Sequence, residues 1–402
     1  MKISIFTPTH KTDYLEELYT SIKNQTHQDW ERIILFNNWA TKPERVSKDK
    51  RIIGIKAVAF EESKNIGYRK KHACSVATGE ILLEADHDDM LTPDCLEEVA
   101  KAFEENPNVW FVYSDNAKLW PFVPYNPIHG WEMYHYQWEW EQLPAMKSLP
   151  ENPNNLWYIR FLPDHVRARR KNVYDAIGWH NQDLEVCDDQ ELMIRTYLVT
   201  DFLHIPKVLY IYRITWENTS IDKKNKLIQQ KTVEIYDQYI YKIAEKRADK
   251  NNFRKIDLCW GIDPAPGYRS IDIANGDIIA DLNQKRPLED GSVWVIRAHD
   301  AMEHLVDKEH TMKEIYRVLA PWGILLSSTP STDGRWAFQD PTHVSFWNEN
   351  SFRYWIKSRV QPKYIYNTEY LFMESRLYTR FPSDRHRQHN ISYVQANLFK
   401  PQ

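Results

Sequence analysis

Residues 81–96, ILLEADHDDMLTPDCL, constrain the fold more than any other stretch of this sequence. The apolar run Ile81, Leu82, Leu83 suits a strand buried in a parallel sheet. It stops at Asp86-His87-Asp88-Asp89, three carboxylates in four residues. Thr92-Pro93-Asp94 then reads as a helix start, with an N-cap hydroxyl, proline at the first helical position and an acid in the first turn. Leu96, Val99 and Phe103 continue at helical spacing. The acids therefore stand where a strand ends and a helix begins, the edge at which open α/β sheets take ligands. Packing has no use for three adjacent carboxylates, which repel one another. Hard divalent cations accept such oxygens and share them with substrate phosphates. The plain alternative for a bare D-x-D is a solvated acidic loop ahead of a helix cap.

The flanking segments extend this alternation. Strands are expected at 2–7, 30–36, 52–60 and 109–114, the last closed by Asp115. Helices are expected over the stripe Leu15, Leu18, Ile22 and over 68–78. Such alternation predicts a parallel sheet covered on both faces. Residues 121–163 mix Pro, Trp, Tyr and His without a period, as a long functional loop does. Order returns over 166–177, and Cys187-Asp188-Asp189-Gln190-Glu191-Leu192 starts a helix that carries Arg195. A strand over 208–212 leads into Arg213, and a polar helix follows over 224–248. A second α/β pattern opens at Lys255, with strands at 256–259, 269–273, 293–298 and 323–328. Met312, Ile315, Tyr316 and Leu319 stripe a helix that Pro321-Trp322-Gly323 terminates, and the tail from Tyr364 alternates like a hairpin. The expected domains are 1–222 and 253–402, joined by a helical linker over 223–252.

Composition narrows the function classes. A length of 402 residues suits two or three domains. The formal charge of −4, without a basic arm, disfavours nucleic acid and gives no general attraction to anionic membranes. Cys74, Cys95, Cys187 and Cys259 lack paired spacing and read as reduced thiols of an intracellular, cytoplasmic chain. The amino terminus enters a strand at once, and no stretch approaches a membrane span.

Taken in order, TPTH at the first strand end, NIGYRKKHACSVATGEILLEADHDDML, GWHNQDLEVCDDQELMIR and YIYRITWENTS resemble the family 2 glycosyltransferases. The resemblance implies a GT-A fold, a Rossmann-like nucleotide-sugar-binding α/β domain, over 1–222. It implies a metal-dependent, inverting hexosyltransferase that moves a sugar from a nucleotide-diphosphate sugar to a hydroxyl acceptor, a glycan or related polymer. Asp86 and Asp88 fall on the D-x-D that holds Mn²⁺ or Mg²⁺ against the diphosphate, and Asp189 falls on the general base. Thr7, Pro8, Thr9, Asn37, Asn38, Asn65, Lys71 and His87 fall on the donor side with that pair. Asp188, Glu191, Trp179 and Arg213 fall on the acceptor side. The chemistry agrees, because inverting transfer needs a carboxylate to take the acceptor's proton. A cation neutralises the departing diphosphate, and a helix amino terminus near Asp188 favours ionised carboxylates. One departure is Asn37-Asn38, where the family usually has an Asp that reads the nucleotide base. Two other readings stand beside this one: transfer to a hydroxymethylated base of DNA, and a non-catalytic nucleotide- or glycan-binding module.

KIDLCWGIDPAPGYRSIDI, RAHDAMEHL, EIYRVLAPWGILLSSTP and DPTHVSFW resemble a small class I methyltransferase domain. That resemblance implies S-adenosylmethionine as cofactor, with Asp257, Gly261, Asp272, Asp281 and His299 around it. Asp272 falls on the acid that holds the ribose hydroxyls. The glycine turn keeps only Gly261, since Cys259 and Ile262 occupy family glycine positions and Trp260 adds bulk. Side chains there obstruct close backbone approach. An active sugar O-methyltransferase and a degenerate domain both fit these residues. In an active one, His299, Asp300, His304 or His343 is the candidate base.

Overall fold

A computed structural model describes residues 1–9, 11–36, 48–56, 66–119, 132–148, 164–214, 225–259, 263–358 and 370–402. The chain divides into two compact units, Met1–Tyr239 and Ile240–Gln402. In the first, Ile3–Thr9 (β1), Trp30–Phe36 (β2), Ile52–Lys56 (β3) and Ile81–Glu84 (β4) lie parallel, in the order β3-β2-β1-β4. The run of three apolar residues explains why β4 is central. Ile81 and Leu83 join one core with Leu18, Leu96, Val99 and Phe103. Leu82 joins the core on the opposite side, with Ile33, Ala73, Tyr174 and Leu192. A strand apolar on both faces belongs inside a covered sheet.

The sheet is not wholly parallel. Met90–Leu91 (β5), Phe111–Leu119 (β6), Met133–Trp138 (β7), Glu141–Met146 (β8), Arg167–Arg170 (β9) and Phe202–Arg213 (β10) complete it. Its order continues β4-β9-β6-β10-β5, and β9 runs antiparallel between β4 and β6. The strand expected to close at Asp115 runs on to Leu119. Asp115 is no solvent cap, because the Ser148 N–H at 2.8 Å, the Tyr134 hydroxyl at 2.9 Å and His204 at 2.7 Å satisfy it in place. Part of the segment read as irregular is the β7–β8 hairpin. The helix expected from Thr92 begins at Cys95, since Thr92 still pairs through its N–H with the Leu209 carbonyl at 3.1 Å.

The polar helix is Asn225–Lys250. The second unit contains Arg254–Leu258 (β11), Arg269–Asp272 (β12), Ile278–Ile279 (β13), Val293–His299 (β14), Leu319–Pro330 (β15), Met373–Arg380 (β16) and Tyr393–Phe399 (β17). Their order is β13-β12-β11-β14-β15-β17-β16, with β17 antiparallel to both neighbours. The tail is therefore the hairpin its alternation predicts. Pro321-Trp322-Gly323 sits inside β15 rather than ahead of it. Trp322 takes a φ of +66°, and the pairing slips, with Val293 opposite Leu319 but Val295 opposite Ile324. The helix Lys308–Val318 has already ended, and Asp307 caps its start through the N–H groups of Glu309 and His310. Among the described residues no helix is long and apolar enough to cross a membrane. All four cysteines are free thiols.

Candidate functional site

Beyond Glu84 the backbone of Ala85 donates to the Phe6 carbonyl at 3.2 Å, which holds the acidic loop against the end of β1. The loop sorts its three acids. Asp89 turns inward, accepting from the Tyr210 hydroxyl at 2.8 Å and the Arg213 N–H at 2.7 Å. The same Tyr210 oxygen accepts from the Asp86 N–H at 3.0 Å, and the Arg213 guanidinium donates to the Asp88 carbonyl at 2.8 Å. Asp86 and Asp88 turn outward, with side chains 39% and 22% exposed. The desolvating surroundings of this partly exposed group raise the Asp86 carboxyl to about 7, and the charges of Glu84 and Asp88 add to this.

That excess of negative charge on two accessible oxygen donors fits a hard divalent cation, which keeps room for phosphate oxygens when two carboxylates hold it. Among the described residues no third acid, histidine or cysteine completes a three-ligand cluster with Asp86 and Asp88. His165 lies beside them, 3.8 Å from Asp86 and stacked on Tyr210. Burial, with Arg167, pushes its imidazole down to about 4.

Behind the loop is a buried charge cluster in which sequence reasoning named Asp188, on the acceptor side, and missed Lys70 and Glu84. Lys70 lies 2.6 Å from Glu84 and 3.3 Å from Asp188. Burial works against the ammonium, but Asp188 and Glu84 outweigh it and hold its pKa well above the usual range. Asp188 is buried too, which raises its carboxyl to about 6 although Lys70 opposes the shift. The available signal was Glu84 itself, an acid ending a fully apolar strand, which demands a buried cation nearby. Lys71 is half-buried on the same helix, Ile66–Ser75, one position from the lysine that reaches the acids.

Asp189 stands in the first turn of the helix Asp188–Val199. The antiparallel register of β4 and β9 sets Arg167 opposite Glu84, and Arg167 donates to Asp189 at 2.7 Å. Burial would raise the Asp189 carboxyl, yet Arg167 and then Lys70 overcome it and hold it below the usual carboxylate range. Its side chain remains 32% exposed, so the ion pair does not enclose it. Asp86, Glu84, Lys70, Arg167 and Asp189 thus form one electrostatic cluster.

The remaining expected residues occupy defined places. Thr7, Pro8 and Thr9 end β1, with Thr7 and Thr9 buried. His87 lies 3.7 Å from Asp88. Trp179 packs edge-on against Tyr174 and offers its carbonyl to Arg195 at 2.6 Å. Glu191 is buried and engaged by Arg195 at 2.7 Å and the Tyr239 hydroxyl at 2.6 Å. It still borders a cleft of about 440 Å³ with Tyr68, His180, Asn181, Gln182 and Asp183. Arg213 is spent on the acidic loop rather than left open. Asn37, Asn38 and Asn65 lie outside the described residues.

In the second unit, Asp257 is fully buried against Arg297 and accepts from the Ala265 N–H at 3.0 Å. Asp272 ends β12 and accepts the N–H groups of Ala274 and Asn275. Asp281 closes a turn with Asn283, and His299 bonds the Tyr241 hydroxyl at 2.5 Å. Burial drives His299 down to about 3. Gly261 lies outside the described residues.

Residues 4–178 match the family model of glycosyl transferase family 2, and residues 241–327 match a methyltransferase domain. The chain joins a family 2 glycosyltransferase domain to a methyltransferase-like domain. This two-part chain is 24% identical over 224 residues to a hyaluronan synthase of Pasteurella multocida, a match covering 55% of this chain and 21% of the synthase. It is 35% identical over 107 residues to an uncharacterized glycosyltransferase of Methanocaldococcus jannaschii, covering 25% of this chain and 36% of that one. The aligned part is therefore about a fifth to a third of these relatives' lengths. A crystal structure of S. aureus TarS with UDP-GlcNAc superposes at a TM-score of 0.45, with 15% identity, over 63% of this chain and 73% of that one.

Proposed function

We propose that the amino-terminal unit transfers a sugar, with inversion, from a nucleotide-diphosphate sugar to a hydroxyl of a saccharide acceptor. The observation that carries this reading is the sorting of acids at one sheet edge. Asp86 and Asp88 stay accessible while Asp89, Glu84 and Asp188 are buried and braced. Asp86 and Asp88 would hold Mn²⁺ or Mg²⁺, and the bound cation would supply positive charge against the diphosphate leaving group. Asp189 takes the acceptor's proton, and Arg167 keeps it ionised and oriented. The likeness to a hyaluronan synthase supports a saccharide acceptor. In the carboxyl-terminal unit the methyltransferase match supports S-adenosylmethionine as ligand, with Asp272 at the ribose hydroxyls. Asp257 is fully buried and paired with Arg297.

Mass spectrometry of products from a panel of nucleotide-diphosphate sugars, saccharide acceptors and Mn²⁺ tests the reading. Asp88→Asn and Asp189→Asn should each lower turnover by ~100-fold or more, the scale of a lost charge-stabilising or proton-accepting group. Full turnover in either variant would overturn it.

A further inference from the structure

The second unit carries a group of metal-ligating side chains that neither sugar transfer nor S-adenosylmethionine binding uses. Ligand atoms of Glu303, His304 and His343 lie within 4.8 Å of one another. Glu303 and His304 belong to a short 3-10 turn, Met302–His304, just beyond β14. His343 comes from a segment strapped across that turn. The N–H groups of Val344 and Ser345 donate to the Glu303 carbonyl at 2.9 and 3.0 Å, and the buried Trp347 indole donates to the Met302 carbonyl at 3.1 Å. The two contributors are thus held in register by backbone bonds before any ligand arrives.

The free lone pairs point the same way. His304 places Nδ1 3.2 Å from the Thr342 carbonyl, and His343 places Nδ1 3.1 Å from the Ala337 carbonyl. A carbonyl only accepts, so each Nδ1 carries the proton and each Nε2 keeps its lone pair. Backbone carbonyls on the far nitrogen are how metal-binding histidines are oriented. Glu303 is 2% exposed; one carboxylate oxygen accepts from the Thr329 hydroxyl, while the other, Oε1, is buried without a hydrogen-bond partner. A buried, unsatisfied carboxylate oxygen is costly unless something cationic meets it.

We propose that Glu303, His304 and His343 form a binding site for a borderline divalent cation of the zinc type. Two imidazoles and one carboxylate are a donor set suited to zinc rather than to the hard cations expected at Asp86 and Asp88. Three protein ligands leave a coordination position for water or a hydroxyl group. This site stands independently of the sugar-transfer reading.

The test is a Zn²⁺ titration of the chelator-stripped full chain against a chromophoric competitor. The wild type should take up one equivalent that Asp88→Asn retains. His343→Ala and His304→Gln should each weaken that equivalent by at least the roughly ten- to hundredfold seen for lost metal-site partners. Co²⁺ in place of Zn²⁺ should give a ligand-field absorption band that disappears in both variants, while far-ultraviolet dichroism confirms that they fold. Failure of the wild type to hold Zn²⁺ against the competitor overturns the assignment. Retention of the equivalent and the Co²⁺ band in the folded His304→Gln variant does the same.

Discussion

Arg167 reaches across from the strand beside Glu84 and sets its guanidinium 2.7 Å from the Asp189 carboxylate. The pair makes Asp189 reliably ionised but a weaker base than an unpaired carboxylate. Its partial exposure keeps it available to an acceptor hydroxyl.

Arg167→Gln should therefore move the acid limb of the pH–rate profile upward. The Asp189 pKa lies below its ordinary value because of Arg167, so removing the cation raises it, and protonation begins at higher pH. Loss of orientation should cut turnover by roughly 10–100-fold. An acid limb that stays in place would show that another group sets it.

Lys70 is the cation on which two buried acids depend. Lys70→Met should destabilise the amino-terminal unit by about 3–5 kcal/mol, the cost of leaving buried charge uncompensated. Adding Glu84→Gln should recover part of that loss. Denaturant midpoints of the two single variants and the double variant measure the coupling. Simple additivity would mean that the two groups do not depend on one another.

Tyr210→Phe removes one hydroxyl that serves both Asp86 and Asp89. The ring and its stacking with His165 remain. The expected cost is about 1–3 kcal/mol in stability, with Mn²⁺ affinity lowered roughly tenfold. Thermal unfolding and Mn²⁺ titration read the two effects separately; unchanged Mn²⁺ affinity would show that the clasp does not shape the loop.

Glu31 offers a pH test away from the site. It is buried and accepts from Lys2, Ser4 and the backbone and hydroxyl of Thr78. Burial would raise its carboxyl, but these donors win and bring it from 4.5 down to about 2. The unfolded chain binds the proton more readily, so this contribution is full above the ordinary value and fades as pH falls from 4.5 to about 2. Glu31→Gln should flatten that part of the stability curve by about 2–3 kcal/mol. An identical acid slope in the variant would assign it to other carboxylates.

The central strands and the acidic loop were legible because three apolar residues followed by acids have few structural solutions. β9 was not legible. Its sequence, RARR, looks like solvated surface, yet Arg169 is buried between the rings of Phe111 and Tyr174 and Arg167 is neutralised by acids from other elements. Lys70 and Lys71 are adjacent and chemically alike, and only helix phase decides which one points inward. Asp89 looks like its two neighbours until a strand far along the chain claims it. Charged residues whose partners are distant in sequence carry no local periodicity, and that is where sequence reasoning stopped.

The clasp on Asp89 also bears on how the protein is made. Asp89 leaves the ribosome 121 residues ahead of Tyr210, so the acids are exposed together well before their fastener exists. During that interval the three acids of residues 86–89 lack the bonds that Tyr210 and Arg213 supply, and a nascent chain cut short of β10 carries the motif without its clasp. Competence for the cation thus waits on β10, Phe202–Arg213, about midway along the 402-residue chain.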